Sequence, residues 1–342
     1  TLIVAGSSSS QERTYKIPAT IRVMEFEDGK RKSSMPGFSE NDSLLFAIPK
    51  KGRLHADIMN LLKGAGLDAN RPDRLDVAMC KELNVKLVFL PAHDIPMYVM
   101  DGNVDLGISG SDVLEETLLG MGLSMEASGE AAPVQVLQQL GFGKCKLCLQ
   151  APKELCSSGA RHFSGKRVVT SFPNLTKKYF GSLGDEGKTS VKVVSGSVEA
   201  ACGLGLADAI VDLVETGTTM RAAGLDIVSE VFSSEAVMFH QKPATASGEK
   251  TQLIELIMKR IAGYMTSQRY VMLIYNCHSD NLAACCMITP GKRSPTITEL
   301  KEKDWHSVSA LVEKNRLNKV LDELSNAKAQ DLLVMPLINT RM

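Results

Sequence analysis

The sequence predicts an α/β protein of two interleaved lobes followed by a small βαββαβ domain. Three observations predict it: short apolar runs alternate with helical patterns from Leu44 onward, the run DIVSEVFSSEAVMF after the second series of such units leads back toward the first, and the strand and helix patterns beyond residue 266 follow the order βαββαβ. Alternating βα units imply a largely parallel sheet with helices on both faces. A chain that crosses twice between two such sheets forms a cleft, where ligands sit.

Residues 1–43 are rich in Ser, Gly and Lys and hold no long periodic segment, although TYKIPATIRVMEF has the composition of an edge strand. They are read as an N-terminal extension. Glu25, Glu27, Asp28, Glu40 and Asp42 argue against a transit peptide, which is poor in acids. From Leu44, LLFAIP reads as a buried strand, KKGRL as a loop, and ADIMNLLKGAG as a helix with Ile58, Leu61, Leu62 and Ala65 on one face. VKLVFLP is a second strand. Asp94-Ile95-Pro96 is a helix start with an Asp cap and an early Pro, and VDLGIS is a strand before SGSDVLEE. These units, residues 44–143 with 225–266, make the first lobe.

The second lobe, residues 144–224, runs from KCKLCLQ through KRVVTSF, PNLTKKYFGSL, VKVVSG, a helix around SVEAACGLGL, and ADAIVDLV into TGTTMRAAGL. A helix over about 251–267 carries Ile254, Ile257, Met258, Ile261 and Met265 at helical spacing. The C-terminal domain, 267–342, has strands YVMLIYN, SPTITEL, HSVSALVE and DLLVMPLI and helices near NLAACCMI and NKVLDELSNA, the ferredoxin-like order of a small ligand-sensing domain.

Lys plus Arg and Asp plus Glu both number 39, so the net charge is zero. No basic stripe interleaved with aromatics suggests a nucleic-acid surface, and anions must be bound by local loops. No apolar run reaches the ~18 residues of a membrane span, and the first residues lack a secretory pattern. The eight cysteines read as reduced thiols of an intracellular protein. Cys145 and Cys148 form a CxxC, but on a strand they face opposite ways and no second pair follows.

The strongest chemical signal is Asp212-Leu213-Val214-Glu215-Thr216-Gly217-Thr218-Thr219, where a buried strand gives way to a helix. Backbone N–H groups, Thr hydroxyls and a close-approach Gly suit a phosphate, and Asp212 is placed to accept from sugar hydroxyls. Taken alone, the same octet also reads as an ordinary Thr-capped turn. The second signal is Lys50-Lys51-Gly52-Arg53-Leu54, whose cations beside a Gly suit a pyrophosphate or make a solvated turn. Because the two loops leave different strands, they can face each other across the cleft. Glu199, at a probable helix start, can hold ribose hydroxyls or a magnesium-bound water, or simply compensate the helix terminus. Asp94 and Asp112 follow consecutive strands, where they suit caps and, by the same placement, substrate contacts. No GxSxG, HExxH or Walker-type GxxxxGK[ST] occurs, which argues against hydrolysis by a familiar triad or metal dyad.

IPKKGRL, DIPMYVMDGNVDLGISGSD, VSGSVEAACGLGLADAIVDLVETGTTMRAAGLDIV and ITPGKRSPTI, followed by Trp305, together resemble the ATP phosphoribosyltransferase family from about Leu44 to the C-terminus. The resemblance implies a catalytic region like a periplasmic binding protein, with a C-terminal regulatory domain that binds L-histidine. It implies the condensation of ATP with phosphoribosyl pyrophosphate to phosphoribosyl-ATP, the first step of histidine biosynthesis, with Mg2+. By position, Asp212, Glu215, Thr216, Gly217, Thr218 and Thr219 would hold the ribose phosphate with help from Glu199. Lys50, Gly52 and Arg53 would face the pyrophosphate. Many bacterial members have Arg-Pro before Lys-Asp-Ile where this chain reads Phe89-Leu90-Pro91-Ala92-His93-Asp94-Ile95, so a cation of the ATP side is missing and Arg74 is the substitute to test. Asn276 stands at the position of an acidic residue of some bacterial members, and Ser294 and Thr296 fit as histidine contacts. FLPAHDIP, YNC and PGKRSPT are similar to fungal versions, which implies the cytoplasm, and the long form of the family implies a hexamer with a dimer as the smaller state. The fold by itself would also serve a solute-binding protein, and the Asp-to-Thr loop alone does not report which base accepts the ribose.

Overall fold

A computed structural model describes residues 43–69, 75–125, 133–185, 187–242 and 248–341. The extension up to residue 42, and Arg74, lie outside these residues.

The first lobe follows β1 (Leu44–Pro49), α1 (His55–Gly64), β2 (Val77–Met79), β3 (Val85–Leu90), α2 (Ile95–Met100), β4 (Leu106–Gly110), α3 (Ser111–Gly120) and β5 (Val134–Gln139). LLFAIP becomes the centre of a sheet because it is apolar on both faces: Leu44, Phe46, Ala47 and Ile48 are all fully buried. β1 pairs in parallel with β3 and β4, so the loops carrying Lys50–Arg53, Asp94 and Asp112 leave from one edge. The helix predicted from Ile58, Leu61 and Leu62 buries those residues against Ile254, Ile257 and Ile261.

The second lobe contains β6 (Cys145–Pro152), β7 (Arg167–Thr170), α4 (Pro173–Ser182), β8 (Ser190–Val193), α5 (Ala200–Gly203), β9 (Ala209–Val214), α6 (Thr218–Ala222) and β10 (Leu225–Ser234). Then β11 (Ala236–Gln241) returns to the first lobe and α7 (Gly248–Arg269) follows. The sheet orders are β2-β3-β1-β4-β11-β5 and β10-β6-β9-β7-β8.

Two sequence expectations need correction. DIVSEVFSSEAVMF is two strands rather than one: β10 pairs antiparallel with β6 and packs Val228, Val231 and Phe232 on the second lobe's core, and the crossing occurs at Glu235. Residues 225–234 therefore belong with the second lobe, because β10 covers an edge of β6 that would otherwise carry unpaired backbone groups. The sheets are also mixed rather than largely parallel, since β2, β11, β5 and β6 join their neighbours antiparallel.

The C-terminal domain is β12 (Tyr270–His278), α8 (Ser279–Ile288), β13 (Thr296–Glu299), β14 (Trp305–Glu313), α9 (Leu317–Asn326) and β15 (Gln330–Pro336), with sheet order β13-β14-β12-β15. That is the ferredoxin-like arrangement. Leu273, Tyr275, Cys277 and Val308 face the two helices and pack with Cys285, Val320 and Leu324. No helix among the described residues is long and apolar enough to cross a membrane.

Candidate functional site

Asp212 stands near the end of β9 on the face it shares with Ile210, because alternate residues of a strand point the same way. Beyond it the chain turns at Gly217, whose φ of +71° places it in the left-handed region that favours glycine, and α6 starts at Thr218. α6 has only five residues, so a helix macrodipole contributes little and anion binding rests on local donors. The Thr216 and Thr218 hydroxyls are 3.0 Å apart, and Arg221 donates to the Thr216 carbonyl at 2.7 Å.

A hollow of about 240 Å³ opens here, lined among others by Glu199, Asp212, Glu215, Thr216, Gly217 and Thr219. The structure thus brings together seven residues of the predicted octet, all but Thr218, and Glu199, the residue at the N-cap position of α5. Thr218 lies beside Thr216 and is not part of the lining. Burial pushes the Asp212 carboxyl up to about 6, and the negative charge of Glu199 adds to the rise, against a hydrogen bond from the Leu213 N–H. Three carboxylates line the hollow, and the neighbouring pair of Asp212 and Glu199 fits hydroxyl donors or a hard cation with its waters. Among the described residues no group of three or more His, Cys, Asp and Glu is arranged to hold a metal ion by itself.

Arg53 links the two loops. Its Nε lies 3.6 Å from the Glu215 carboxylate of the second lobe, and it also donates to the Gly143 carbonyl, in the first crossing segment, at 2.5 Å. Its other neighbour is Asp112, 3.5 Å away and fully buried. Asp112 accepts from the Ser234 hydroxyl at 2.8 Å, and Ser111 donates to the same Ser234 hydroxyl at 3.2 Å. Asp112 is therefore corrected from a substrate contact to a buried partner of Arg53, since no part of it is open to a ligand. Lys50 pairs with Asp76 at 2.6 Å, so its charge is engaged within the first lobe. Gly52, with φ of +99°, makes the turn that aims Arg53 inward. Asp94 occupies the predicted cap position of α2 without a side-chain cap bond, and sits 3.2 Å from His93.

The lobes meet a second time at α3 and α4. Glu116 accepts from the Asn174 and Leu175 N–H groups, both at 2.8 Å, and so caps the start of α4 from the opposite lobe. Glu115 accepts from Lys178 at 3.0 Å. Sequence reading found neither, because a cap normally comes from the residue just before its own helix. Nor did it find Gln150, which also lines the hollow. Burial raises the Cys145 thiol to about 11 and raises Cys148 as well, which keeps both as neutral core residues.

In the C-terminal domain, strand register puts Asn276, Ser307, Ser309, Thr296 and Thr298 on the sheet face opposite α8 and α9. Asn276 donates to the Asp331 carboxylate at 2.8 Å, so an acidic group absent at position 276 arrives from β15. Ser294 lies in the exposed loop before β13. These residues form a separate polar surface rather than part of the hollow at Asp212.

Residues 91–263 match the family model described as HisG, ATP phosphoribosyltransferase, and residues 267–339 match that of the HisG C-terminal domain. The chain is 43% identical over 310 residues to an ATP phosphoribosyltransferase of Schizosaccharomyces pombe, covering 88% of this chain and 97% of that one. It is 43% identical over 305 residues to that of Saccharomyces cerevisiae, with coverage of 88% and 97%. Among solved structures, its fold is similar to one from the ATP phosphoribosyl transferase (HisG:HisZ) complex of Thermotoga maritima. The TM-score is 0.52 at 28% identity, over 64% of this chain and 98% of that chain.

Proposed function

The chain belongs to the ATP phosphoribosyltransferase family, enzymes of the first step of histidine biosynthesis, and from that premise we propose how its residues divide the work. The Thr216–Thr219 turn receives the 5-phosphate of phosphoribosyl pyrophosphate, and Asp212 and Glu199 accept from the ribose hydroxyls. Arg53, with Lys50 nearby in its loop, faces the pyrophosphate. The observation that carries this reading is the approach of Arg53 to Glu215, which sets the cationic loop of one lobe against the phosphate loop of the other.

The reaction is a displacement: an adenine ring nitrogen of ATP attacks the anomeric carbon and pyrophosphate departs. The leaving group is already good, so the residues supply alignment and charge rather than a nucleophile. Asp212 and Glu199 suit the hydroxyls or the waters of a bound magnesium ion, which when bound neutralises pyrophosphate charge. Asp94, at the rim of the first lobe, remains the candidate contact for ATP, together with Arg74.

The C-terminal domain binds L-histidine and passes inhibition to the catalytic lobes. Ser294, Thr296 and Asn276 make the contacts, and Asp331 supplies the carboxylate for the amino group, supported by its bond to Asn276. The working state is a cytoplasmic hexamer built from dimers. An absorbance assay for phosphoribosyl-ATP from ATP, phosphoribosyl pyrophosphate and magnesium, with pyrophosphatase present, tests the whole reading. Product formation suppressed by L-histidine is expected; formation indifferent to histidine would remove the regulatory half.

A further inference from the structure

Gln150 is 2% exposed, on the face of β6 that otherwise meets apolar neighbours. Register places it beside Ile210 of β9 and Ile227 of β10, and Ile210, Val169, Met220 and Leu225 form the surrounding cluster. A carboxamide brings two N–H donors and an acceptor oxygen, and burying it is costly unless they are used. Only one use is visible: Nε2 donates to the Asp212 main-chain carbonyl at 3.0 Å. The amide oxygen makes no hydrogen bond among the described residues, and Gln150 lines the same hollow as Asp212 and Glu199. The oxygen is not among the fully buried atoms left without a partner, so it keeps an opening to the hollow, where a ligand that donates can reach it.

We infer that Gln150 is a positioning and specificity-determining residue for the sugar, holding the Asp212 backbone through Nε2 and accepting from a ribose hydroxyl through its amide oxygen. This rests on the reading of the Asp212–Thr219 segment as the phosphoribosyl pyrophosphate loop. Acceptors converge at this end of the hollow: two of its three carboxylates and a neutral amide oxygen, while the third, Glu215, is matched by Arg53. They repel phosphate and attract hydroxyls, which leaves the anion to the Thr216–Thr219 end and fixes the direction in which the sugar lies. A neutral acceptor also adds no negative charge to a site that must receive a pyrophosphate.

The test compares ribose 5-phosphate with tetrahydrofurfuryl phosphate, which has the same ring and phosphate but no ring hydroxyls. Binding of each is measured by titration calorimetry on the wild-type protein and on Gln150→Met, a substitution of similar shape without hydrogen-bonding groups. Gln150→Leu serves as a second variant, and thermal unfolding confirms that each is folded. The expected result is a loss of roughly tenfold for ribose 5-phosphate, the worth of one hydrogen bond, with tetrahydrofurfuryl phosphate changed less than about twofold. Correspondingly, KM for phosphoribosyl pyrophosphate rises about tenfold while KM for ATP stays the same. An equal loss for both ligands would overturn the inference, because Gln150 would then only brace the loop. Failure of the wild-type protein to bind ribose 5-phosphate would instead overturn the loop reading and this inference with it, whereas unchanged binding of both ligands by the variants would overturn the inference alone.

Discussion

Asp112 and Arg53 form a pair in which one side chain is buried almost completely, at 1% exposure, and the other is three-quarters covered. The Asp112 Oδ2 faces the guanidinium at 3.5 Å and has no hydrogen-bond partner, so Arg53 supplies the charge that makes its burial tolerable. Arg53→Ala is expected to destabilise the fold by about 3 kcal/mol, because it strands a buried carboxylate. Adding Asp112→Asn should restore most of that loss, while activity stays low because Arg53 is still missing. Urea unfolding of the two single variants and the double variant checks this. A double variant no more stable than Arg53→Ala would show that the two residues are not coupled.

Asp212 predicts a pH dependence whose sign is fixed by its environment. Its folded value, about 6, lies above the ordinary 3.8, so the folded state holds the proton more tightly than the unfolded state. Its contribution to stability is therefore fully present below about pH 4 and is lost as pH rises through 6. Asp212→Asn should stabilise the protein at pH 8 and do little at pH 4. Function runs the other way, since an ionised carboxylate is the better acceptor for hydroxyls: the ratio of affinities for ribose 5-phosphate and tetrahydrofurfuryl phosphate, whose phosphates titrate alike near pH 6, should increase as pH rises through 6 in the wild-type protein and stay flat in Asp212→Asn. Unfolding curves at the two pH values and a binding titration across pH 5–8 measure both halves. A variant with wild-type turnover would remove Asp212 from the site.

Glu116 holds α4 from the other lobe, and burial raises its carboxyl despite the N–H groups it accepts from. Glu116→Ala removes a cap and should cost about 1–2 kcal/mol. Glu116→Gln should cost less, because it keeps one acceptor and loses a partly buried charge. KM for both substrates should rise in Glu116→Ala as the lobes lose their second attachment. A change in stability with both KM values unmoved would make the contact purely structural.

Much of this was legible because local rules governed it. Gly217 and the Thr residues marked a strand-to-helix turn, apolar spacing located α7, and the loops of Arg53 and Glu215 left different strands. What escaped depended on partners distant in sequence. Gly143 meets Arg53 from the first crossing and Ser234 meets Asp112 from beside the second, Glu116 caps a helix it does not precede, and Asp331 reaches Asn276 through strand pairing. Gln150 carried a faint signal, as the polar residue in the buried run LCLQAP. The strand β10 misled because SEVFSSEAV reads as a single run, and nothing local says that its partner changes sheet at Glu235. The Lys50–Asp76 pair was hidden for the same reason, since the carboxylate that faces this cation comes from a segment outside its own loop.

The segment after β15 offers a test of the proposed feedback. Asn339 donates to the Gly64 carbonyl at 2.9 Å, Ser267 donates to the Ile338 carbonyl at 3.2 Å, and the backbone of Thr340 crosses Gly263 of α7. This fastens the end of the C-terminal domain to the last turn of α1, the helix that starts just after Arg53. A Cβ at Gly263 would stand 2.0 Å from the Thr340 carbonyl oxygen, a backbone atom with no rotamer in which to retreat. Gly263→Ala should therefore push the segment off α1 without touching either substrate loop. If histidine acts through this contact, the concentration needed for half-inhibition should rise by about fivefold or more, the lower range of ordinary allosteric coupling, while turnover without histidine stays near wild type. Thr266→Ala, a half-buried position on the same helix whose hydroxyl bonds to the Ala262 carbonyl, is the control and should leave inhibition unchanged. Inhibition that remains at wild-type strength in a folded Gly263→Ala protein would rule out this route and leave the signal to pass through β12 and its junction with α7.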